Sequence, residues 1–366
     1  MDIKVAVVVG TRPEIIKMFP IVRALRSYRL DFFIIHTGQH YSYELSKIFF
    51  EELCLPMPKY NLGVGSGSHA EETGKILISI EKVLEKENPD ILLVEGDTNS
   101  ILAAALAAVK LHIPVGHVEA GLRSFDRCMP EEVNRVITDH ISTLLFAPTE
   151  ISMKNLLREG IPYYKIYVTG NTIVDAVHYC LPKVHKVEEE VLERLGVEKR
   201  EYVLVTVHRQ ENVDDPHRFK AIIEGLNLIK KKFGYEIVYP IHPRSHKRVT
   251  EFNIDLGDII VIDPLGYIDF LALEKNALAI VTDSGGVQEE ACTLGVPCVT
   301  VRDNTERPET ILVGANALAG ADPKSISDKF ESLVINGRVR RWSNPLGDGK
   351  AGERIVKIVR EYLEAC

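Results

Sequence analysis

The chain lacks most of what a secreted, membrane-spanning or nucleic-acid-binding protein would need. Its six cysteines, Cys54, Cys128, Cys180, Cys292, Cys298 and Cys366, are scattered over 366 residues. None stands in a Cys-x-x-Cys pair, and a chain of this size does not need disulfide staples. Free thiols in a reducing compartment are the expectation, and with them a cytoplasmic location. No Cys or His spacing marks a metal site. The first apolar segment begins at Ile3 and is too short for a signal peptide or a membrane span. Cations are not in excess: 44 Lys and Arg stand against 52 Asp and Glu, a net charge of −8. No surface for a nucleic-acid duplex is expected, although a local basic pocket for a small anion remains compatible with that balance. Gly63, Gly65 and Gly67 do not make a dinucleotide fingerprint, because no strand is read before them and the spacing is wrong. They read as a mobile loop of the kind that closes over ligands. Repeats and low-complexity tracts are absent.

What is present is an alternation. Short β-branched runs recur between stretches of helical periodicity, with 45% hydrophobic and 26% charged residues overall. Strands are read at Ile3–Val9, Phe32–His36, Asp90–Glu95, Val115–Val118, Leu144–Ala147 and Ile166–Thr169. A charged stretch, Lys183 to Arg200, reads as a hinge. A second series follows at Tyr202–Val207, Glu236–Ile241, Ile259–Ile262, Ala279–Thr282 and Pro297–Val301. The expected fold class is therefore α/β, with two Rossmann-like parallel-sheet domains facing across a cleft. The first would span residues 1–175, completed by a C-terminal helix within 351–366; the second would span 176–350.

The polar residues share an address. Arg12, Gln39, Asp97 and Glu119 follow strands of the first series; His208, His242, Ser284 and Arg307 follow strands of the second. Parallel α/β sheets bind ligands beyond the carboxyl ends of their strands. The stretch Ala279–Glu290 is strand, Asp-Ser-Gly-Gly turn and helix start, which suits an anion, or equally an ordinary capped turn. Arg12 and Lys17 stand where the helix dipole disfavours cations. A bound anion would explain them, as would plain solvation. Asp97 could cap a helix, and Glu131 after Pro130 could simply favour a helix start. Glu119 fits no cap. His208 and Arg209 end a buried strand and have the weakest bland explanation. Carboxylates, a histidine and cations at one address suit a substrate with a phosphate leaving group and a proton to be moved.

Seven motifs together resemble the non-hydrolysing UDP-N-acetylglucosamine 2-epimerase family. They are Gly10-Thr11-Arg12-Pro13-Glu14, Gly96-Asp97-Thr98, His117 through Arg123, Pro130-Glu131-Glu132 with Asn134-Arg135, His208 through Asn212, Thr282 through Glu290, and Thr305 through Glu309. The resemblance implies the GT-B arrangement and reversible conversion of UDP-GlcNAc to UDP-ManNAc. It implies anti elimination of UDP to a 2-acetamidoglucal followed by re-addition, with no cofactor and no metal. By motif position, Asp97, Glu119 and Glu131 are the candidate acids and bases, their faces unassigned, and His208 would serve the departing phosphate. Arg12, Lys17, Ser284, Gly285, Gly286, Glu290, Phe270 and Arg307 would bind substrate. Gln39, His40 and Arg209 would touch a second UDP-GlcNAc acting as activator, and a homodimer is implied. Three departures stand out: Leu265 replaces a polar residue near the base, Arg244-Ser245 replaces Asn-Pro, and Ser66 to His69 differ in the glycine loop. An epimerase of a UDP-diacetamido uronic acid, a hydrolysing 2-epimerase, a GT-B glycosyltransferase and a nucleotide-sugar sensor are the rival readings.

Overall fold

A computed structural model describes residues 3–38, 43–337 and 342–365. Two compact units result, one of residues 1–178 with 346–366 and one of residues 179–345. Each is built on a wholly parallel sheet.

In the first unit the strands are β1 (Lys4–Val9), β2 (Asp31–His36), β3 (Tyr60–Asn61), β4 (Ile91–Glu95), β5 (Val115–Val118), β6 (Leu144–Ala147) and β7 (Ile166–Val168). Their spatial order is β3-β2-β1-β4-β5-β6-β7. The second unit has β8 (Tyr202–Thr206), β9 (Glu236–Pro240), β10 (Ile260–Ile262), β11 (Ala279–Thr282), β12 (Cys298–Thr300) and β13 (Asn316–Leu318), in the order β10-β9-β8-β11-β12-β13. The chain direction across each sheet reverses between β1 and β4, and again between β8 and β11. Those two points are where an open parallel sheet offers a crevice.

The central strands are uniformly apolar because helices cover both of their faces. Val5 to Val8, Leu92 to Val94, Val203 to Val205 and Ala279 to Val281 are fully buried. Small side chains let the helix Asn99–Lys110 lie close behind β4; its Ala104, Ala105 and Ala108 join Ala6, Val8 and Val94 in one core. Proline opens many helices, at Pro13, Pro130, Pro216, Pro243, Pro308 and Pro323. In the first turn its missing N–H has no intrahelical partner to lose.

Two sequence expectations are corrected here. The stretch 183–195 is not a loose hinge but the second half of the helix Thr172–Leu195. Its charges alternate with Val184, Val191 and Leu192, which are buried at helical spacing. Glu188 is held there by Lys275 at 2.5 Å and Asn276 at 2.9 Å. The glycine loop, in turn, does follow a strand, the two-residue β3. Its backbone continues that pairing, Val64 N donating to Thr37 O and Gly65 N to Gly38 O. Among the described residues no helix is long and apolar enough to cross a membrane.

Candidate active site

At the β1–β4 reversal the first unit gathers buried acids around one lysine. Lys17 lies on the helix Arg12–Ser27, with its side chain almost wholly buried. Its Nζ is 2.5 Å from Glu119 Oε1 and 3.6 Å from Glu95 Oε1. Asn171 Nδ2 donates to the same Glu119 oxygen at 2.9 Å. Glu119 follows β5 with φ of +66°, a left-handed conformation that a non-glycine residue keeps only when its surroundings impose it. Burial, reinforced by the neighbouring charges of Glu119 and Glu14, pushes Glu95 well above the usual carboxylate range, more than Lys17 offsets.

Glu14 ties the first two turns together. Its Oε2 accepts from Gly10 N and from Thr11 N, the latter at 3.1 Å, and its Oε1 accepts from Thr98 Oγ1 at 2.7 Å. Burial pushes its carboxyl up to about 7, although each of these bonds pulls the other way.

Asp97 is placed by the helix Pro130–Ile141. Arg135 donates to its carboxylate, and Asn134 Nδ2 donates to its carbonyl at 2.9 Å. Asp97 remains 28% exposed, so it is reachable. The same helix carries Asp139, which receives His117 Nδ1 at 2.7 Å and Gly121 N at 3.1 Å. His117 Nε2 meets Gly96 O at 2.9 Å. One buried helix residue thereby sets both turns, the one bearing Asp97 and the one bearing Glu119. Burial would raise Asp139, but His117 and Arg123 outweigh it and hold that carboxyl below its ordinary range.

Glu131 is not drawn into this network. It sits half-buried in the first helical turn, and its side chain makes no hydrogen bond or ion pair among the described residues. Its neighbour Glu132 is the buried one, accepting from Ser124 N and Oγ at 2.9 Å and from Arg135 at 2.7 Å. Arg12 lies at the helix start with its guanidinium 5.4 Å from the Phe49 ring centroid. Gln39 and His40 lie outside the described residues. The glycine loop is anchored nearby: Gly67 N donates to Glu72 Oε1 at 3.0 Å, and Glu72 Oε2 receives Asn99 Nδ2 at 2.9 Å.

The second unit treats its acids differently. Asp283, fully buried after β11, accepts from His208 N at 3.0 Å, Arg209 N at 2.9 Å and Asn212 Nδ2 at 3.1 Å. Its Oδ1 also lies 3.4 Å from His208 Nδ1. The His208 side chain is 40% exposed and packs beside the His242 ring, centroids 5.6 Å apart. Tyr239 and Ser245 hydroxyls both donate to Val207 O at 2.6 Å, fixing the strand end just before His208. That gives Ser245 a structural purpose in this chain.

Ser284 caps the helix Gly285–Leu294, but weakly, its Oγ accepting from Val287 N at 3.5 Å. A Cβ on Gly285 would come within 2.7 Å of Arg307 Nη1, so glycine lets the guanidinium lie against this turn. A Cβ on Gly286 would meet nothing closer than 4.0 Å, which leaves open space over the helix start. Arg307 is shared between Glu289 at 2.7 Å and Glu306 at 3.0 Å. Arg302 also pairs with Glu306, and together the two guanidiniums overcome burial to hold that carboxyl well below its usual range. Glu290 is buried against Glu274 and Tyr267; burial and the Glu290 charge push Glu274 well above the carboxylate range. Phe270 and Leu265 pack on the apolar cluster containing Val287, beside the same helix start.

Residues 23–360 match the family described as UDP-N-acetylglucosamine 2-epimerase. The curated UDP-N-acetylglucosamine 2-epimerase of Methanocaldococcus jannaschii is 57% identical over 97% of this chain and 98% of its own. The chain belongs to the UDP-N-acetylglucosamine 2-epimerase family. A Pseudomonas aeruginosa relative, UDP-2,3-diacetamido-2,3-dideoxy-D-glucuronate 2-epimerase, is 40% identical over 98% of this chain and 99% of its own. The crystal structure of the M. jannaschii UDP-GlcNAc 2-epimerase in complex with UDP-GlcNAc and UDP matches with a TM-score of 0.93 and 56% identity. That match covers 98% of this chain and 100% of that one. The two parallel α/β units are thus the architecture of this epimerase family.

Several residues of the site were not picked out from sequence. Glu14 stands three positions after Thr11, the spacing of a capping box, and could have been found that way. Glu95 ends the apolar run Ile91–Val94 with a charge, the same signal that flagged Glu119. Asn171, Asp139 and Asp283 carry no such signal, because their importance lies in partners 18 to 75 positions away.

Proposed function

We infer that this protein interconverts UDP-GlcNAc and UDP-ManNAc by non-hydrolysing epimerisation at C2. The observation that carries this is 57% identity, over nearly the whole of both chains, with the M. jannaschii enzyme, whose crystal structure holds UDP-GlcNAc and UDP. In the forward direction the C2–H bond breaks and its electron pair forms the C1=C2 double bond. The C1–O bond breaks and UDP leaves with its pair. Re-addition of UDP, with a proton delivered to the opposite face of C2, completes the inversion.

In our assignment of roles, Asp97, Glu119 and Glu131 are the carboxyl groups that move protons at C2. Exposure of Asp97 and the paired Lys17–Glu119 carboxylate support the first two. His208 stabilises the departing β-phosphate, assisted by Arg12 and Arg307. Ser284, Gly285 and Gly286 hold the phosphates, with open space at Gly286 in support. Glu290 serves the ribose, Phe270 the uracil, and Lys17 the nucleotide phosphates or the sugar side. Arg209, with Gln39 and His40, would bind an activating second UDP-GlcNAc. A cytoplasmic homodimer with no nucleic-acid or membrane partner completes the reading.

Incubation with UDP-GlcNAc in deuterated buffer, without any acceptor, tests this. NMR should show deuterium entering C2 together with UDP-ManNAc. Release of free ManNAc would reveal a hydrolysing enzyme. Absence of exchange without an acceptor would favour a transferase. The P. aeruginosa relative supports a second reading, a diacetamido uronate as substrate; turnover of that sugar nucleotide in preference to UDP-GlcNAc would establish it. Full activity on UDP-ManNAc alone would remove the activator.

A further inference from the structure

We propose that Glu95 is a positioning residue that keeps a proton beside Glu119, so that Glu119 stands as the aligned carboxylate at C2. The inference rests on the epimerase reading above. Glu95 is the last residue of β4 and only 2% exposed. Its carboxyl and that of Glu119 both face the Lys17 ammonium, at 3.6 and 2.5 Å. Two buried carboxylates beside a single ammonium repel each other, and a proton on one of them removes that repulsion. The groups facing Glu95 are Lys17 and Glu14, both from the helix Arg12–Ser27, and Glu119 from the end of β5. Asn171, before the helix Thr172–Leu195, adds a neutral amide to Glu119.

The charge balance decides which acid keeps the proton. Glu95 and Glu119 share one ammonium. Lys17 is 2.5 Å from Glu119 but 3.6 Å from Glu95, so the anion is favoured on Glu119. Glu119 also receives the Asn171 amide, a second donor that favours its charged form. Glu95 is left as the neutral member of the pair. Burial acts in the same direction on Glu95.

This arrangement has a chemical consequence. A base must be charged and fixed in place when it meets the C2 proton. A neutral Glu95 leaves Lys17 to Glu119 and adds no competing charge. Once Glu95 loses its proton at high pH, two carboxylates repel each other and compete for Lys17, and Glu119 loses its alignment. The alkaline limb of kcat is therefore assigned to Glu95, which does not itself touch the substrate.

The test is Glu95→Gln, a neutral isostere that keeps a donor. Two readouts are taken: the pH profile of kcat and the infrared carboxyl C=O band in deuterated buffer. We expect kcat at pH 7 within about threefold of wild type and an alkaline limb moved upward by about one pH unit or more. The band at pH 7 should lose the intensity of one protonated carboxyl. An unchanged pH profile, or an unchanged band, would overturn the proposal. A variant that cannot fold would also overturn it, because a neutral amide should replace a protonated carboxyl. If the wild-type protein makes no UDP-ManNAc, the epimerase reading fails, while the infrared band still reports whether Glu95 carries the proton.

Discussion

The two units repeat one strand order, and the turns at their reversal points nonetheless do opposite things with acids. In the first, Glu14 and Glu95 are buried without enough positive charge, and both are pushed upward. In the second, the strand-end acids are satisfied. Asp283 receives backbone and amide donors, and Glu306 lies between Arg302 and Arg307. The comparison teaches that one parallel scaffold can bury an acid with little positive charge beside it or clamp it between two guanidiniums, and that this charge decides which way its proton affinity moves. In the second unit the raised acid, Glu274, is buried beside Glu290.

The comparison can be broken by removing its parts. The largest effect is expected at Asp97. Asp97→Asn should lower kcat by about 10²–10⁴-fold with little change in KM, as for a lost acid–base group. Steady-state conversion of UDP-GlcNAc, followed by NMR, checks this; a change confined to KM would move Asp97 out of the proton chemistry.

Asp283→Ala is next. It leaves the His208 and Arg209 N–H groups without their acceptor and takes one of two acceptors from the Asn212 amide. Urea unfolding should show a loss of about 3 kcal/mol, from several unsatisfied buried donors. Stability unchanged within error would show that the second unit does not depend on this anchor. Glu290→Ala should raise KM for UDP-GlcNAc about tenfold, about 1.4 kcal/mol of binding, with kcat much less affected. The reverse pattern would give Glu290 a part in the chemistry.

A smaller effect is expected at Ser245. Ser245→Ala removes one of two hydroxyls on the Val207 carbonyl and should cost about 1 kcal/mol in unfolding free energy. The remaining Tyr239 bond should preserve most activity. The most delicate test is Glu14→Gln, read as the dependence of thermal stability on pH. The folded carboxyl of Glu14 is raised from an ordinary 4.5 to about 7. The protonated form is therefore favoured on folding, and stability is full below 4.5 and declines as pH rises through about 7. The Gln variant lacks this decline. Its Tm should gain on wild type between pH 5 and 8, by a free energy on the order of 1–3 kcal/mol. No pH-dependent difference between the two proteins would contradict a raised Glu14.

Legibility followed the range of the interaction. The long central strands could be read because burial on both faces forces unbroken β-branched runs. The edge strands β3 and β13 could not, since two or three residues carry no periodicity. The charged half of the helix Thr172–Leu195 was misread because its exposed charges outnumber the buried Val184, Val191 and Leu192. Within the site, the turn residues Asp97, Glu119, His208 and Ser284 were readable from their places after strands. Glu131 was read on its motif alone, and the structure leaves it outside the hydrogen-bonded network.

The sequence by itself determined the alternation of strands and helices, the family and the set of polar turns, because these depend on local pattern and on residue type at fixed spacing. Only the tertiary structure decided which partners each acid would meet. Lys17 is 102 positions from Glu119, and His208 is 75 from Asp283. A carboxyl group's proton affinity is set by burial and by the donors within a few ångströms, and folding alone brings those donors together.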